Sequence, residues 1–411
     1  GIPSFDYKAF KQMKEEGTQY YVNSDYYDRN LAFFATATYS YQSRYSVTGT
    51  IRYEGSNKLG HSMKARWLPT WNVSGIWNAD AEKFWRPTFG EWWTAASLKL
   101  SYSLTATRGP ESVSNSLAIF QAYNPWRPLA SVSETGIELV DLANSELTYE
   151  KKHEFNVGTH LGFVRNRINL DVDFFIRNNY DLIGPVQTAG VGGTITKYAN
   201  DANMKSSGVE IALSTVNVDI KNFKWTSNIA FSHITNTITR LDSRDRAYTL
   251  LNGYGRQEGS PLYSLYSIRF AGLNEEGLPL FYSNKECTET YNPSNYGDIN
   301  FQDYENLDYL KFEGTIDPTI DGGFSNEFTI FKNFKVGIFL TFRGGNVIRL
   351  NNLCNVYASE YNDLSANMRE MKNRWIVAGD EAKTNIPTIA SKRQFETIDG
   401  LRYAYSAYNY S

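Results

Sequence analysis

The chain has 411 residues and a formal net charge of -3, a balance that excludes both a strongly basic nucleic-acid binder and an acidic tail. Aromatic residues make up 15% of it while the mean hydropathy is -0.46, so rings supply much of the apolar content where a soluble α/β enzyme would use Leu, Ala and Val. No run approaches the roughly 20 apolar residues of a transmembrane helix, so a membrane could be crossed only by strands.

In chain order, residues 1–28 read as a polar connection without a leader pattern, so any export signal is expected to have been removed or to lie upstream. The first strand follows, with Leu31, Phe33, Ala35, Ala37, Tyr39 and Tyr41 set against Thr36, Thr38 and Ser40. A tight link at 42–44 leads to weaker alternation over 45–53 and 67–77. Next, Leu98, Leu100, Tyr102 and Leu104 oppose Lys99, Ser101, Ser103 and Thr105. A long polar segment, 108–151, precedes a strand over 155–163 that carries His160 on its polar face. The clearest strand is 168–177: Ile168, Leu170, Val172, Phe174 and Ile176 face one way, Asn169, Asp171, Asp173 and Arg177 the other, with Phe175 the one ring on the polar side. Three charges on one strand face cannot all sit in a dry core, so that face meets water. After the long segment 184–205 come strands at 209–213 and 225–231, a second long segment at 239–315, and strands at 320–330 and 334–343. Residues 351–411 read as a last long loop.

These are roughly ten to twelve strands. Short links at 42–44, 165–167, 218–222 and 332–333 alternate with the long polar segments, and aromatic residues such as Tyr39, Tyr41, Tyr45, Trp92, Trp93 and Trp225 gather near strand ends. Both features predict an all-β, antiparallel transmembrane barrel with short periplasmic turns, long extracellular loops and interfacial rings.

Several strings carry a resemblance. The run RNLAFFATATYSYQSRYSVTGTIRYEGSNKLG (29–60), with Arg52, Glu54, Gly55, Ser56 and Lys58 in an R-x-(D/E)-G-S-x-K pattern, is similar to the barrel repeat of SusC-family TonB-dependent transporters. Stretches at 66–77, 98–109, 146–183, 206–233, 262–281 and 317–346 resemble that family in the same order. The resemblance implies one barrel domain, with extracellular connections at 1–28 and 348–411 flanking the strands and loops of 29–347. It also implies an outer-membrane location and TonB-dependent import of an oligosaccharide or oligopeptide beneath a SusD-like surface lipoprotein. The family's plug, its TonB-coupling segment and its last strands have no counterpart here, so the chain is expected to be part of an about 22-stranded barrel. Such a wall is not functional alone, because an open edge in lipid leaves backbone groups unpaired. Two rival readings are a TonB-dependent siderophore or cobalamin receptor, and a secreted all-β carbohydrate-binding protein or enzyme.

No catalytic, phosphate-binding or zinc pattern is present, and no enzyme activity, cofactor or metal is expected. Asp171 and Asp173, two apart on one strand face, could suggest glycoside hydrolysis but read better as hydrated wall. Asp298, Asn300 and Asp303 could offer oxygens to a cation, yet they miss the calcium-loop spacing and read as a turn. Cys287 and Cys354 leave disulfide pairing open. For ligand contact, loop rings beside guanidinium groups are the better candidates: Phe120, Tyr123 and Trp126 with Arg127, and Tyr254 with Arg256.

Overall fold

The computed structural model describes residues 29–57, 66–108, 118–123, 136–142, 144, 146–190, 196–331, 333–353 and 369–411, with single positions 8, 11, 12 and 15. Two compact units divide the chain, Gly1–Lys205 and Ser206–Ser411. The first holds β1 (Asn30–Tyr41), β2 (Tyr45–Ser56), β3 (Trp67–Asn78), β4 (Trp93–Thr107), β5 (Ile119–Tyr123), β6 (Gly136–Asp141), β7 (Glu150–Phe163) and β8 (Ile168–Gln187). Strand β9 (Thr196–Ile220) runs past the unit boundary. The second holds β10 (Phe223–Leu241), β11 (Ser264–Ile268), β12 (Phe270–Leu273), β13 (Pro279–Tyr282), β14 (Thr290–Tyr291), β15 (Leu310–Thr315), β16 (Ile320–Ile330) and β17 (Phe334–Gly344). The main sheet has ten strands in the order β1-β2-β3-β4-β7-β8-β9-β10-β16-β17. All ten strands foreseen from alternation are there.

In the first unit, antiparallel register puts Phe33 opposite Tyr53 and Tyr39 opposite Val47 on the apolar face. The other face carries a hydroxyl ladder: Thr36 with Thr50 and Thr38 with Thr48 at 3.1 Å, and Ser40 with Ser46 at 2.9 Å. Cross-strand hydroxyl pairs of this kind hold register where no core does so. The turn after β1 puts Gln42 (φ 50) and Ser43 (φ 56) in the left-handed region, the geometry whose twist matches a two-residue hairpin. Gly55 sits under the Trp67 ring, and a Cβ there would come within 2.5 Å of it. That contact gives the glycine of the R-x-E-G-S pattern a steric reason.

The link after β3 was not foreseen as structured, yet it forms a short helix α1 (Trp85–Phe89). Trp85 is buried against Ala79, Ala96, Phe89, Trp93 and Leu161, and its Nε1 donates to the Trp93 carbonyl at 2.9 Å. Nearby, the Glu82 carboxylate accepts from Tyr45 Oη (2.5 Å), Arg44 Nη1 (3.0 Å) and Trp77 Nε1 (3.3 Å). The Tyr45 hydroxyl, followed by Arg44 and Trp77, holds that carboxyl below its usual range.

In the second unit, β16 and β17 repeat the two-faced plan. Phe324 lies opposite Leu340 and Phe328 opposite Val336, while Arg343 Nε donates to Asp321 Oδ2 at 2.7 Å on the polar side. Asn326 interrupts the apolar face, and its Oδ1 accepts from Trp225 Nε1 (2.8 Å) and Ser227 Oγ (2.6 Å). Those groups therefore meet the apolar surroundings already bonded.

Residues 239–315 and 351–411 were expected to be loops; of these, 239–315 and the described stretch 369–411 are largely folded, and residues 401–411 are mostly helical. Helices α2 (Ala247–Leu251), α3 (Lys392–Thr397) and α4 (Leu401–Asn409) join β11–β15 around one core of Leu250, Leu251, Ile268, Leu278, Phe281 and Leu401 with several tyrosines. The buried tyrosines stay satisfied: Tyr296 Oη donates to the Pro279 carbonyl (2.7 Å), Tyr309 Oη to Asn300 (2.9 Å) and Tyr405 Oη to Thr388 (2.6 Å). Ser391 and Gln394 form a capping box at the start of α3. Gly400 (φ +70) precedes α4, where a Cβ would lie 2.2 Å from Gly297 N. Arg349 Nη2 reaches the Leu251 carbonyl at 3.1 Å and its guanidinium lies 5.1 Å from the Tyr410 ring centroid, tying the segment after β17 to this module.

Candidate functional site

Among the described residues, two surfaces stand out as able to meet a solute. The first is the polar face of the first unit's sheet, which β7 and β8 furnish most densely. His160 Nδ1 lies 2.8 Å from Asp171 Oδ1, Arg177 Nε donates to Glu154 Oε2 at 2.9 Å, and Lys152 Nζ approaches the same carboxylate at 3.0 Å. At the far end of these strands, Lys151 Nζ donates to Asp181 Oδ2 at 2.6 Å. The Arg177 guanidinium covers the buried Phe175 ring at 3.9 Å, which explains how one ring sits among charges. Asp171 is thus bound to His160, and the face as a whole is a paired, half-exposed polar wall suited to passing or lining water. Nothing in it assembles a nucleophile with a base and an oxyanion donor.

The second surface belongs to the folded module of the second unit. Arg256 was read from sequence as a ligand-contacting guanidinium. It is half-buried, its backbone N–H donates to Asp245 Oδ2 at 2.6 Å, and its Nη2 donates to Ser243 Oγ at 3.1 Å. Its Nε stands 3.5 Å from the same Asp245 carboxylate. Arg256 lines a cleft of about 790 Å³ together with Arg269, Lys285, Tyr304, Asp308 and Phe312. That volume is within the usual range for ligand sites. Tyr254, 77% exposed, stands outside the residues lining the cleft. In the first unit, Phe120 is 65% exposed on β5, and Tyr123 ends that strand. Trp126 and Arg127 lie outside the described residues. The proposed cluster of Phe120, Tyr123, Trp126 and Arg127 is therefore described only in its first two members.

Sequence reading missed Arg269, Tyr304 and Phe312. The signal available was faint: Phe312 and Arg269 lie in or beside strands of five or six residues, too short for alternation to stand out. The candidate cation turn resolves into ordinary turn bonding. Asn300 Oδ1 accepts from Gln302 N (3.0 Å), and Asp303 Oδ1 accepts from the backbone N–H of Glu305 (2.9 Å) and Asn306 (3.2 Å). These backbone donors hold the Asp303 carboxyl below its usual range. Cys287 is exposed and free, and Cys354 lies outside the described residues.

Burial shifts other groups of the module. It raises the hydroxyls of Tyr296 and Tyr309 well above their normal value and lowers Arg349.

The sequence profile of the family described as TonB dependent receptor-like, beta-barrel matches residues 4–300. TonB-dependent receptor P3 of Formosa agariphila is 23% identical over 377 residues, covering 88% of this chain and 36% of that protein. TonB-dependent receptor SusC of Bacteroides thetaiotaomicron is 24% identical over 222 residues, covering 52% of this chain and 21% of its own length. The solved structure of the RagAB peptide transporter superposes with a TM-score of 0.71 at 22% identity, over 89% of this chain and 38% of that one, a likeness of fold. The chain spans about a third of the length of the Formosa relatives it matches. These relatives are receptors and transporters, and the barrels of this kind reside in the outer membrane. With antiparallel strands that set apolar side chains against polar and ion-paired ones, and a family profile covering most of its length, the chain belongs to the TonB-dependent receptor-like β-barrel family.

Proposed function

We propose that the protein containing this chain imports an oligosaccharide or oligopeptide nutrient across the outer membrane. In this reading the chain supplies part of the barrel wall. Its polar face, carrying the Glu154–Arg177 and His160–Asp171 pairs, lines the lumen, and its apolar face meets lipid. The connections at 1–28 and 348–411 lie on the extracellular side, where Phe120, Tyr123, Trp126, Arg127, Tyr254 and Arg256 contact the ligand. A SusD-like lipoprotein covers the site, and TonB energises release through other parts of the polypeptide. No bond in the ligand is broken. The observation that carries this reading is the two-faced sheet in a chain of this family, with names among its relatives that include SusC and a peptide transporter.

Isolation of the full-length receptor from native outer membranes tests it. A surface lipoprotein is expected to copurify, and uptake of a labelled glycan or peptide mixture is expected to stop when TonB is deleted. A receptor that purifies alone and takes up an iron chelate instead would replace this reading with the siderophore one.

A further inference from the structure

The cleft of the second unit is lined by a guanidinium that makes no side-chain hydrogen bond or ion pair among the described residues. Arg269 fills the single position between β11 and β12, and its backbone is pinned on both sides: its N–H donates to the Tyr309 carbonyl (3.3 Å) and its carbonyl accepts from Tyr282 N (2.8 Å). Its side chain has no hydrogen bond or ion pair among the described residues, and Nε is buried without a partner. The carboxylates nearby are engaged elsewhere. Asp245 is taken by Arg256, and Asp308 pairs with Lys285 at 2.8 Å. Glu313, close enough to feel the Arg269 charge, is held by Ser267 Oγ (2.6 Å) and Lys311 Nζ (3.0 Å). Glu258 and Glu305 line the cleft as well, but they are exposed and solvated.

A guanidinium whose buried nitrogen has no hydrogen-bond partner, and whose neighbouring carboxylate Glu313 is bonded to other donors, is an unfavourable arrangement. Its planar fork matches one partner above others, a carboxylate taken through two parallel N–H donors. Tyr304 and Phe312 line the same cleft at 50% and 46% exposure, offering flat apolar surfaces to the rest of such a ligand.

We propose that this cleft is a subsite for a carboxylate-bearing unit of the imported oligomer, anchored by Arg269. The proposal rests on the import reading above and adds the charge class of the cargo. A carboxylate can come from an acidic peptide or from a uronate-containing glycan, and the two are separable by experiment.

Calorimetry on the full-length receptor, purified with any lipoprotein it carries, compares four probes. They are a glutamate-rich hexapeptide, its amidated all-glutamine counterpart, a galacturonate hexamer and a galactose hexamer. At least one acidic probe is expected to bind about tenfold or more tightly than its neutral counterpart. The pair that shows the preference identifies the source. Arg269→Gln is expected to abolish the preference by bringing the acidic probe's affinity down to that of its neutral counterpart. Arg269→Lys, which keeps the charge and loses the fork, is expected to retain only part of it. Equal affinity within both pairs, no binding of either acidic probe, or a preference that survives Arg269→Gln overturns the proposal. The wild-type comparison needs no substitution, so it stands even if a variant does not assemble. Binding is read without transport; failed uptake with intact selectivity counts against import and not against the subsite.

Discussion

At the scale of single residues, neighbours on one strand have opposite requirements. Leu170 pairs across from Leu161 on the apolar side, whereas Asp171 is bonded to His160 on the polar side. Leu170→Arg places a charge toward lipid, at about 2–4 kcal/mol if near the bilayer midplane. Asp171→Asn keeps an acceptor and is expected to stay within about 1 kcal/mol. Folded fraction by heat-modifiable electrophoresis of the full-length receptor should rank them in that order; the reverse ranking would mean that the assigned faces are inverted. Glu82 gives a pH-dependent counterpart. Its folded carboxyl is lowered by Tyr45, Arg44 and Trp77, so its contribution is complete above the unfolded value of about 4.3 and fades as pH falls through the lower folded value. Glu82→Gln should therefore narrow the stability gap between neutral pH and pH 3. An unchanged gap would remove Glu82 from the turn's energetics.

At the scale of elements, the main-sheet strands were legible because alternation at period two is enforced by having water on one side and lipid on the other. Strands at 31–41, 98–105, 168–177 and 334–343 needed no further information. The module built from the described residues of 239–315 and 369–411 was illegible for an equally physical reason. Its strands run from two to six residues, β11 and β12 carry register shifts, and much of its core is tyrosine, which reads as polar or interfacial in sequence. The residues that close the core, such as Leu401 and Tyr405, also lie about a hundred positions or more from the strands they pack on, a distance that no local pattern spans. The cleft shares that obscurity: of its guanidinium groups, sequence reading singled out Arg256, by its pairing with a ring, and not Arg269. This module should show an alkaline transition of its own. Tyr296 and Tyr309 are neutral when buried and have raised folded values, so the stability they confer is complete below an unfolded value of about 10 and is lost as pH rises beyond it. Tyrosinate absorbance should then rise in step with loss of the module's protease resistance; ionisation of all tyrosines near pH 10 with resistance retained would contradict the burial. Tyr405→Phe, which leaves the Thr388 carbonyl without its donor, should lower the module's stability by about 1–3 kcal/mol.

At the scale of the whole molecule, composition alone left a membrane barrel and a secreted all-β protein both open. What separates them is that each unit pairs an apolar strand face, with Phe33 and Tyr39 in the first and Phe334 and Leu340 in the second, with a face of hydroxyls or ion pairs behind it. A soluble sheet would cover those exposed rings with a second layer, whereas a barrel wall leaves them to lipid. Spin labels placed one at a time at residues 168–177 of the full-length receptor in bilayers test this most directly. Collision with oxygen, which partitions into lipid, should peak at 168, 170, 172, 174 and 176, and collision with a water-soluble nickel chelate should peak at 169, 171 and 173. Loss of the period-two pattern, or the same pattern with the two reagents exchanged, would contradict the account.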